Sequence, residues 1–249
     1  MTGEPRGHEE WMAAYGRRAC LDPLRAVLDE GDERGVKNAW VDFLERRALR
    51  RTLAGTRCRV VVDLGCGVGR LTDLLAEGGA RVVALDASAE LLAAARRLGL
   101  PPRASPLRAD LRSLPLRDAC ADLVATSNVL IHMVEDRDLR AAAREVARVL
   151  RPGGRALLLE HLSPVGGTAR REGIVFRSLE DLAGAFGAEG LRLREAPAVR
   201  KSPSRVLHWV LAGRVPRALW GAAAALESFL ALRGRVPPDY RDHLLILER

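Results

Sequence analysis

Apolar residues along the chain change period several times, and the changes divide it into elements. Up to about residue 55 the spacing is helical. Trp11 and Tyr15 lie four apart, and Trp40, Phe43, Leu44 and Ala48 form one stripe in an otherwise charged stretch. From there short apolar runs alternate with helical periods. Residues 59–64 read as a buried strand, followed by a helix over about 70–76. A second strand is predicted at 81–85, with a helix over 89–98 behind Ser88, a good N-cap. A weaker third strand falls near 106–109 and a fourth at 121–126. A strongly amphipathic helix over 139–150 is expected to stop at Arg151-Pro152-Gly153-Gly154, read as a terminator and turn. A fifth strand at 155–160 and a helix at 179–186 complete the alternation. Strands separated by helices of this length predict a doubly wound α/β fold, a mostly parallel sheet with helices on both faces.

The end of the chain breaks that rhythm. Residues 191–195 and 243–247 read as two strands that would pair antiparallel. The proline-bounded segment between them, 203–238, holds Trp209, Trp220 and an apolar run over 222–232, and is expected to be a helical excursion from one hairpin. The organisation expected is a helical cap or lid at 1–55 and a ligand-binding domain at 56–249 with an insertion at about 203–238.

Composition sets outer limits. A chain of 249 residues that is 48% hydrophobic can bury one large core or two small ones. Its formal charge of +8 would suit nucleic acid or an anionic membrane. Only two of its 40 basic residues are lysines, however, Lys37 and Lys201. In a chain rich in Ala, Leu and Gly that pattern reads as GC-rich coding bias, so the charge is a weak argument for nucleic acid. Cys20, Cys58, Cys66 and Cys120 lack the paired spacing of a metal site. A reduced, cytoplasmic protein without a metal is expected. The opening MTGEPRGHEEW is too charged for a signal peptide, and no apolar run reaches the ~18 residues of a membrane span.

The candidate chemistry starts at Asp63-Leu64-Gly65-Cys66-Gly67-Val68-Gly69, between the first strand and its helix. Ligands of an open parallel sheet bind beyond the carboxyl ends of its strands. Glycines there permit the turn and let a ligand approach the backbone. Asp86 ends the second strand, where an acid can take the hydroxyls of a ribose, and Asp110 ends the third. The dinucleotide pattern G-x-G-x-x-G is not met, because Arg70 holds the place of its last glycine. Asp63 would repel a pyrophosphate and attract a cation. The arrangement suits a ribose-bearing ligand with an ammonium, a carboxylate and a positive centre.

On these residues the chain resembles the class I S-adenosylmethionine-dependent methyltransferases, in the type 11-like branch that modifies small molecules. The segments "VVDLGCGVGRL", "VVALDAS", "LRADLRSLPLRDACADLVATSNVLIHM" and "RVLRPGGRALLLEHL" carry the resemblance over about 58–196. It implies S-adenosyl-L-methionine as cofactor and a Rossmann-like seven-stranded sheet whose last strand is antiparallel. Asp63, Gly65 and Gly67 would then contact the methionine part, with Gly69 letting the helix start. Asp86 would bind the ribose hydroxyls, and Asp110 with Leu111 would place the adenine. Ser127 and Asn128 would line the floor near the transferable methyl.

A methyltransferase gains most by aligning its nucleophile, which contributes ~7–11 kcal/mol. A general base adds ~10²–10⁴-fold where the acceptor must lose a proton. His132 is a candidate base or a pocket wall, and His161, at the end of the fifth strand, is a base or a partner of the loop that follows. His8, His208 and His243 read as ordinary residues. Arg177 reads as a partner for an anionic acceptor or as a solvated arginine. The Asn/Asp-Pro-Pro-aromatic element of nucleobase amine methylation is absent, as are a Pro-Cys pair and an aromatic-basic surface. No nucleic-acid partner is expected. The acceptor expected is an oxygen or nitrogen of a small to medium-sized metabolite, with carbon ranked third.

The acceptor chamber should be built from the N-terminal helices and the excursion at 203–238. Leu219, Ala223, Leu226 and Leu230 could equally pack on the sheet. Membrane contact by this stretch is a third option, against which stand Glu227 in its middle and its low charge organisation. The competing functions are a non-methylating S-adenosylmethionine-binding protein, including one that cyclises its substrate, and a nicotinamide-dependent oxidoreductase. Oligomeric state is not legible.

Overall fold

The structure is a computed structural model that describes residues 8–163, 168–171, 173–202, 204–231 and 240–249, with side chains 8–12, 170 and 171 set aside. The Trp11 and His8 side chains, Pro203 and the end of the predicted excursion at 232–239 therefore lie outside the described residues. Three helices open the chain, α1 (His8–Arg18), α2 (Pro23–Val27) and α3 (Val36–Leu53). Then come β1 (Val60–Leu64), α4 (Thr72–Leu75), β2 (Arg81–Asp86), α5 (Ala89–Leu98), β3 (Ala104–Arg108) and β4 (Ala121–Ser127). After a 3-10 turn at Leu130–His132 follow α6 (Asp136–Val149), β5 (Leu150–Leu162), a hairpin of β6 (Ala169–Arg171) and β7 (Ile174–Phe176), and α7 (Leu179–Gly187). The chain closes with β8 (Arg192–Glu195), β9 (Ala198–Ser202), α8 (Arg205–Leu211), α9 (Trp220–Ala231) and β10 (Tyr240–Glu248).

The main sheet runs β3-β2-β1-β4-β5-β10-β8, and β9 also pairs with β10. Neighbours from β3 to β5 are parallel, whereas β10 is antiparallel to β5, β8 and β9. Eight strands thus fill seven positions, because β8 and β9 share one side of β10. The break between them falls at Ala196-Pro197, where proline has no N–H for the ladder.

Strands β1, β4 and β5 are apolar at consecutive positions because helices cover both faces. On one face α6 lays down Leu139, Ala142, Ala143 and Val146, and α7 adds Leu182 and Phe186. On the other, Trp40, Leu44 and Leu49 of α3 pack with Val61, Leu123 and Leu157. Trp220 of α9 joins this layer, its ring edge-on to Trp40 at 5.2 Å. Helix α3 is therefore part of the wall of the sheet. Helices α1 and α2 reach the carboxyl rim, with Ala26 and Val27 against Val68 and Leu91.

Several boundaries depart from the sequence expectation. Arg151–Gly154 is not a turn, because β5 begins at Leu150 directly after α6. Its irregular opening is held by Arg249, which exchanges main-chain hydrogen bonds with Gly153 and Gly154 at 3.0 Å. That partner is the last residue of the chain, so no local pattern announces it. Helix α4 is one turn shorter than expected, and the third strand starts two residues earlier.

Leu158 on β5 is fully buried in the centre of the sheet. Leu158→Ala should cost ~2–5 kcal/mol, read as a lower urea midpoint at unchanged slope.

Candidate active site

Three strands end on the same rim, and each delivers a carboxylate or a loop to one cavity. After β1 the chain turns sharply, and Gly65 and Gly67 take φ of +69° and +56°. A side chain at either would be strained, and its Cβ would run into Val129 or Val27 respectively. The loop is tied to β2 by the Gly65 and Cys66 amides, which both donate to the Leu85 carbonyl at 2.7 and 2.9 Å. Asp86 completes the tie, accepting from Gly67 N and Ser88 N at 2.8 Å each. Its burial pushes the carboxyl up, opposed by those amides. Each oxygen keeps acceptor capacity for a ligand.

Asp63 is buried beneath the loop and accepts from the Thr72 hydroxyl at 2.6 Å. Burial pushes its carboxyl up to about 6, with the hydroxyl opposing. A cation entering the cavity would reverse that shift. On the floor, Asn128 sits at φ +56°, a conformation asparagine tolerates, and its buried Oδ1 has no hydrogen-bond partner. Asp63, Gly65, Gly67, Asp86, Leu111, Ser127, Asn128 and His132 all line this cavity.

Three expected residues stand elsewhere. Gly69 (φ +82°) lies behind the loop, where a Cβ would meet Leu100. Asp110 is not among the lining residues, because Arg112 takes its carboxylate, with Nη2 at 2.6 Å and the main-chain amide at 2.8 Å. His161 lines a second cavity of about 330 Å³, which shares Tyr15, Val27, Asn128 and His132 with the first.

In that second chamber His161 Nδ1 lies 2.6 Å from Asp242 Oδ1, and Arg200 Nε lies 2.5 Å from Asp242 Oδ2. Burial alone would push the Asp242 carboxyl up, but Arg200 and His161 outweigh it and hold it below the usual carboxylate range. Nδ1–H donated to a carboxylate fixes the tautomer, leaving Nε2 to accept a proton. Tyr240 tilts against the His161 ring at 4.4 Å. His132, by contrast, meets the Tyr15 hydroxyl through Nε2 at 3.1 Å, which pins α1 over both cavities.

Several residues were not legible as site residues. Arg70 is buried and donates to Asp42, to Glu45 and to the Ser127 hydroxyl at 2.9, 2.5 and 3.1 Å. Glu45 of α3, fully buried, also accepts from Ser127 and Asn128 at 3.3 Å. Arg177 is not solvated and lines neither cavity, since it is buried and donates to the Met133 carbonyl and the Asp136 carboxylate at 2.7 and 3.1 Å. Glu160 accepts from the Thr126 hydroxyl and from Val129 N and Leu130 N, fixing the turn that carries His132. Burial pushes its carboxyl up to about 7.

A family model described as a methyltransferase domain matches residues 61–154. The demethylmenaquinone methyltransferase of Mycobacterium marinum is 34% identical over 223 residues, 88% of this chain and 87% of that protein. That of Corynebacterium urealyticum is 39% identical over 162 residues, 65% of this chain and 63% of its own length, so with this relative the match spans less than two thirds of the protein. Among solved structures, geranyl diphosphate C-methyltransferase from Streptomyces coelicolor A3(2) superposes with a TM-score of 0.66 at 15% identity, covering 97% of this chain and 98% of that one, a likeness of fold. The chain belongs to the class I S-adenosylmethionine-dependent methyltransferases.

The raised carboxyl of Asp63 has a measurable consequence. Between about pH 4 and 6 the folded protein keeps a proton there that the unfolded chain has released, so this residue lowers stability as pH rises through that window. Asp63→Asn, which cannot ionise, should therefore gain stability over the wild type on going from pH 5 to pH 7.5, on the order of 1 kcal/mol. Urea melts of both proteins at the two pH values check it, and an unchanged difference contradicts it.

Proposed function

We propose that the protein transfers a methyl group from S-adenosyl-L-methionine to the oxygen of an ionisable hydroxyl on a small to medium-sized metabolite, with His161 as general base. The observation that carries this reading is the His161–Asp242 pair, held by Arg200 in a chamber that shares Tyr15, Val27, Asn128 and His132 with the first cavity. The cavity's residues fit the cofactor on the structure's own terms. The unpartnered Asn128 Oδ1 and the buried Asp63 suit an ammonium, Asp86 offers acceptors to ribose hydroxyls, and Leu111 offers an apolar face to adenine. Asp110 stands outside the cavity lining and is paired with Arg112.

The bound cofactor supplies an electrophilic methyl on a sulfonium, which is the difficult part of the chemistry. The chain's own work is then orientation, proton removal and exclusion of water. His161 Nε2 takes the acceptor proton while Asp242 stabilises the imidazolium that forms. Its Nδ1 partner keeps the ring in one orientation. The Tyr15–His132 hydrogen bond closes α1 and α2 over the cavities as a lid, so His132 serves as wall and latch. Within the N-terminal 55 residues, this reading gives the lid role to α1 and α2 and a scaffolding role to α3.

A second reading concerns the acceptor atom. Removing the proton of an aromatic hydroxyl enriches both the oxygen and the adjacent ring carbon, so the same base serves transfer to carbon. The relatives named demethylmenaquinone methyltransferase and geranyl diphosphate C-methyltransferase favour keeping this reading.

The test is transfer of labelled methyl from S-adenosyl-L-methionine to a panel of phenols, enols and amines. His161→Ala and Asp242→Asn should each lower kcat by ~10²–10⁴-fold on hydroxyl acceptors. The loss should shrink as pH rises past the acceptor's own pKa, where no base is needed. Transfer to amines alone, or an equal loss at every pH, would contradict the assignment. Cofactor binding without transfer to any acceptor would instead favour a non-methylating protein.

A further inference from the structure

Helix α9 buries Trp220, Ala224 and Ala231, yet it is apolar on its outer face as well. Its inner face carries a carboxylate, Glu227, which is 1% exposed and accepts from the Ser204 hydroxyl and from Lys201 N at the end of β9. Its outer face carries Ala222, Ala225, Leu226 and Phe229, spaced at i, i+3, i+4 and i+7, with no polar side chain in the stripe. Leu226 and Phe229 are 40% and 51% exposed. The stripe continues backward through Leu219, 56% exposed, and Trp209 on α8, 40% exposed. Of the seven large apolar side chains exposed among the described residues, four fall in this one stretch, 209–229. Ordinary leftover exposure would scatter them.

Across residues 204–231 the exposed charges are of one sign. Arg205, Arg214 and Arg217 are exposed there, together with His208, and Arg217 lies 5.7 Å over the Trp220 ring. Between residues 204 and 231 the only acid is Glu227, and it faces inward. Glu227 is one of the two objections to membrane contact, and its burial removes that one.

We propose that α8 and α9 form a docking surface for an anionic lipid bilayer. Leu219, Leu226 and Phe229 would enter the headgroup boundary, Trp209 would sit at the interface, and the three arginines would pair with anionic headgroups. Self-association fits less well. A two-fold contact sets a patch against itself, and here that brings arginines against arginines with no exposed carboxylate between them. No helix among the described residues is long and apolar enough to cross a membrane, so the surface lies on the bilayer.

Co-sedimentation of the full chain with phosphatidylcholine vesicles, with and without phosphatidylglycerol, tests this. Binding should require phosphatidylglycerol and fall at high salt. Arg214→Gln and Arg217→Gln should each lower partitioning about fivefold. The double variant Leu226→Asp, Phe229→Asp should lower it by at least ~10-fold. All four substituted residues are exposed, and a thermal melt of each variant checks that it stays folded. Absence of binding to anionic vesicles overturns the proposal, as does equal binding by the wild type and the double variant. Light scattering on the same samples covers the alternative. A concentration-dependent dimer that the double variant dissociates, without vesicle binding, assigns the face to a second copy and likewise overturns it.

Discussion

Carboxylates kept dry at the carboxyl ends of parallel strands organise this molecule. Burying an acid is costly unless donors converge on it, and here the donors are the amides of the loops that the site is made from. Asp86 collects Gly67 N and Ser88 N, which joins the glycine loop to the start of α5. Glu160 collects Val129 N and Leu130 N, which sets the turn holding His132. Asp63 has a single hydroxyl, from Thr72, and its carboxyl is accordingly pushed up by burial. The rim is a set of loops fastened to acids, and one of those acids is left short of donors where a cationic ligand would complete it.

Under the proposed function the same logic divides two tasks between two adjoining cavities. On the cofactor side the acids are raised and poised for a partner. On the acceptor side Asp242 already has its cation, Arg200, and is spent on orienting His161. Tyr15, Asn128 and His132 belong to both cavities, so the lid contact between Tyr15 and His132 stands where the two ligands would meet. Beneath them Glu45 of α3 reaches through the wall to Arg70, Ser127 and Asn128, which couples the N-terminal helices to the floor.

What was legible in the sequence is what depends on near neighbours. The apolar runs of β1, β4 and β5, the period of α6 and the Ser88 cap are local, and they placed the sheet. The Leu91 amide does bond the Ser88 hydroxyl, at 3.2 Å. What escaped depends on distant pairing. His161 and Asp242 are 81 residues apart, and Glu45 and Asn128 are 83 apart. Strand β9 exists because β10 is there to pair with it, and β5 starts early because the chain end closes its bulge. Arg112 beside Asp110 escaped for another reason. In a chain with 40 basic residues, a neighbouring arginine carries almost no signal. The inward placement of Glu227 on α9 escaped because composition alone does not say which face of a helix is inside.

The central claim is that the rim binds the adenosyl-sulfur cofactor, and melting curves with candidate ligands test it most directly. S-adenosylmethionine and S-adenosylhomocysteine, each at 100 times its dissociation constant, should add ~2.7 kcal/mol of stability, and NAD and NADP should add none. Asp86→Ala should remove most of the effect. Stabilisation by a dinucleotide, or by none of the four, would contradict the account and leave the fold without its ligand.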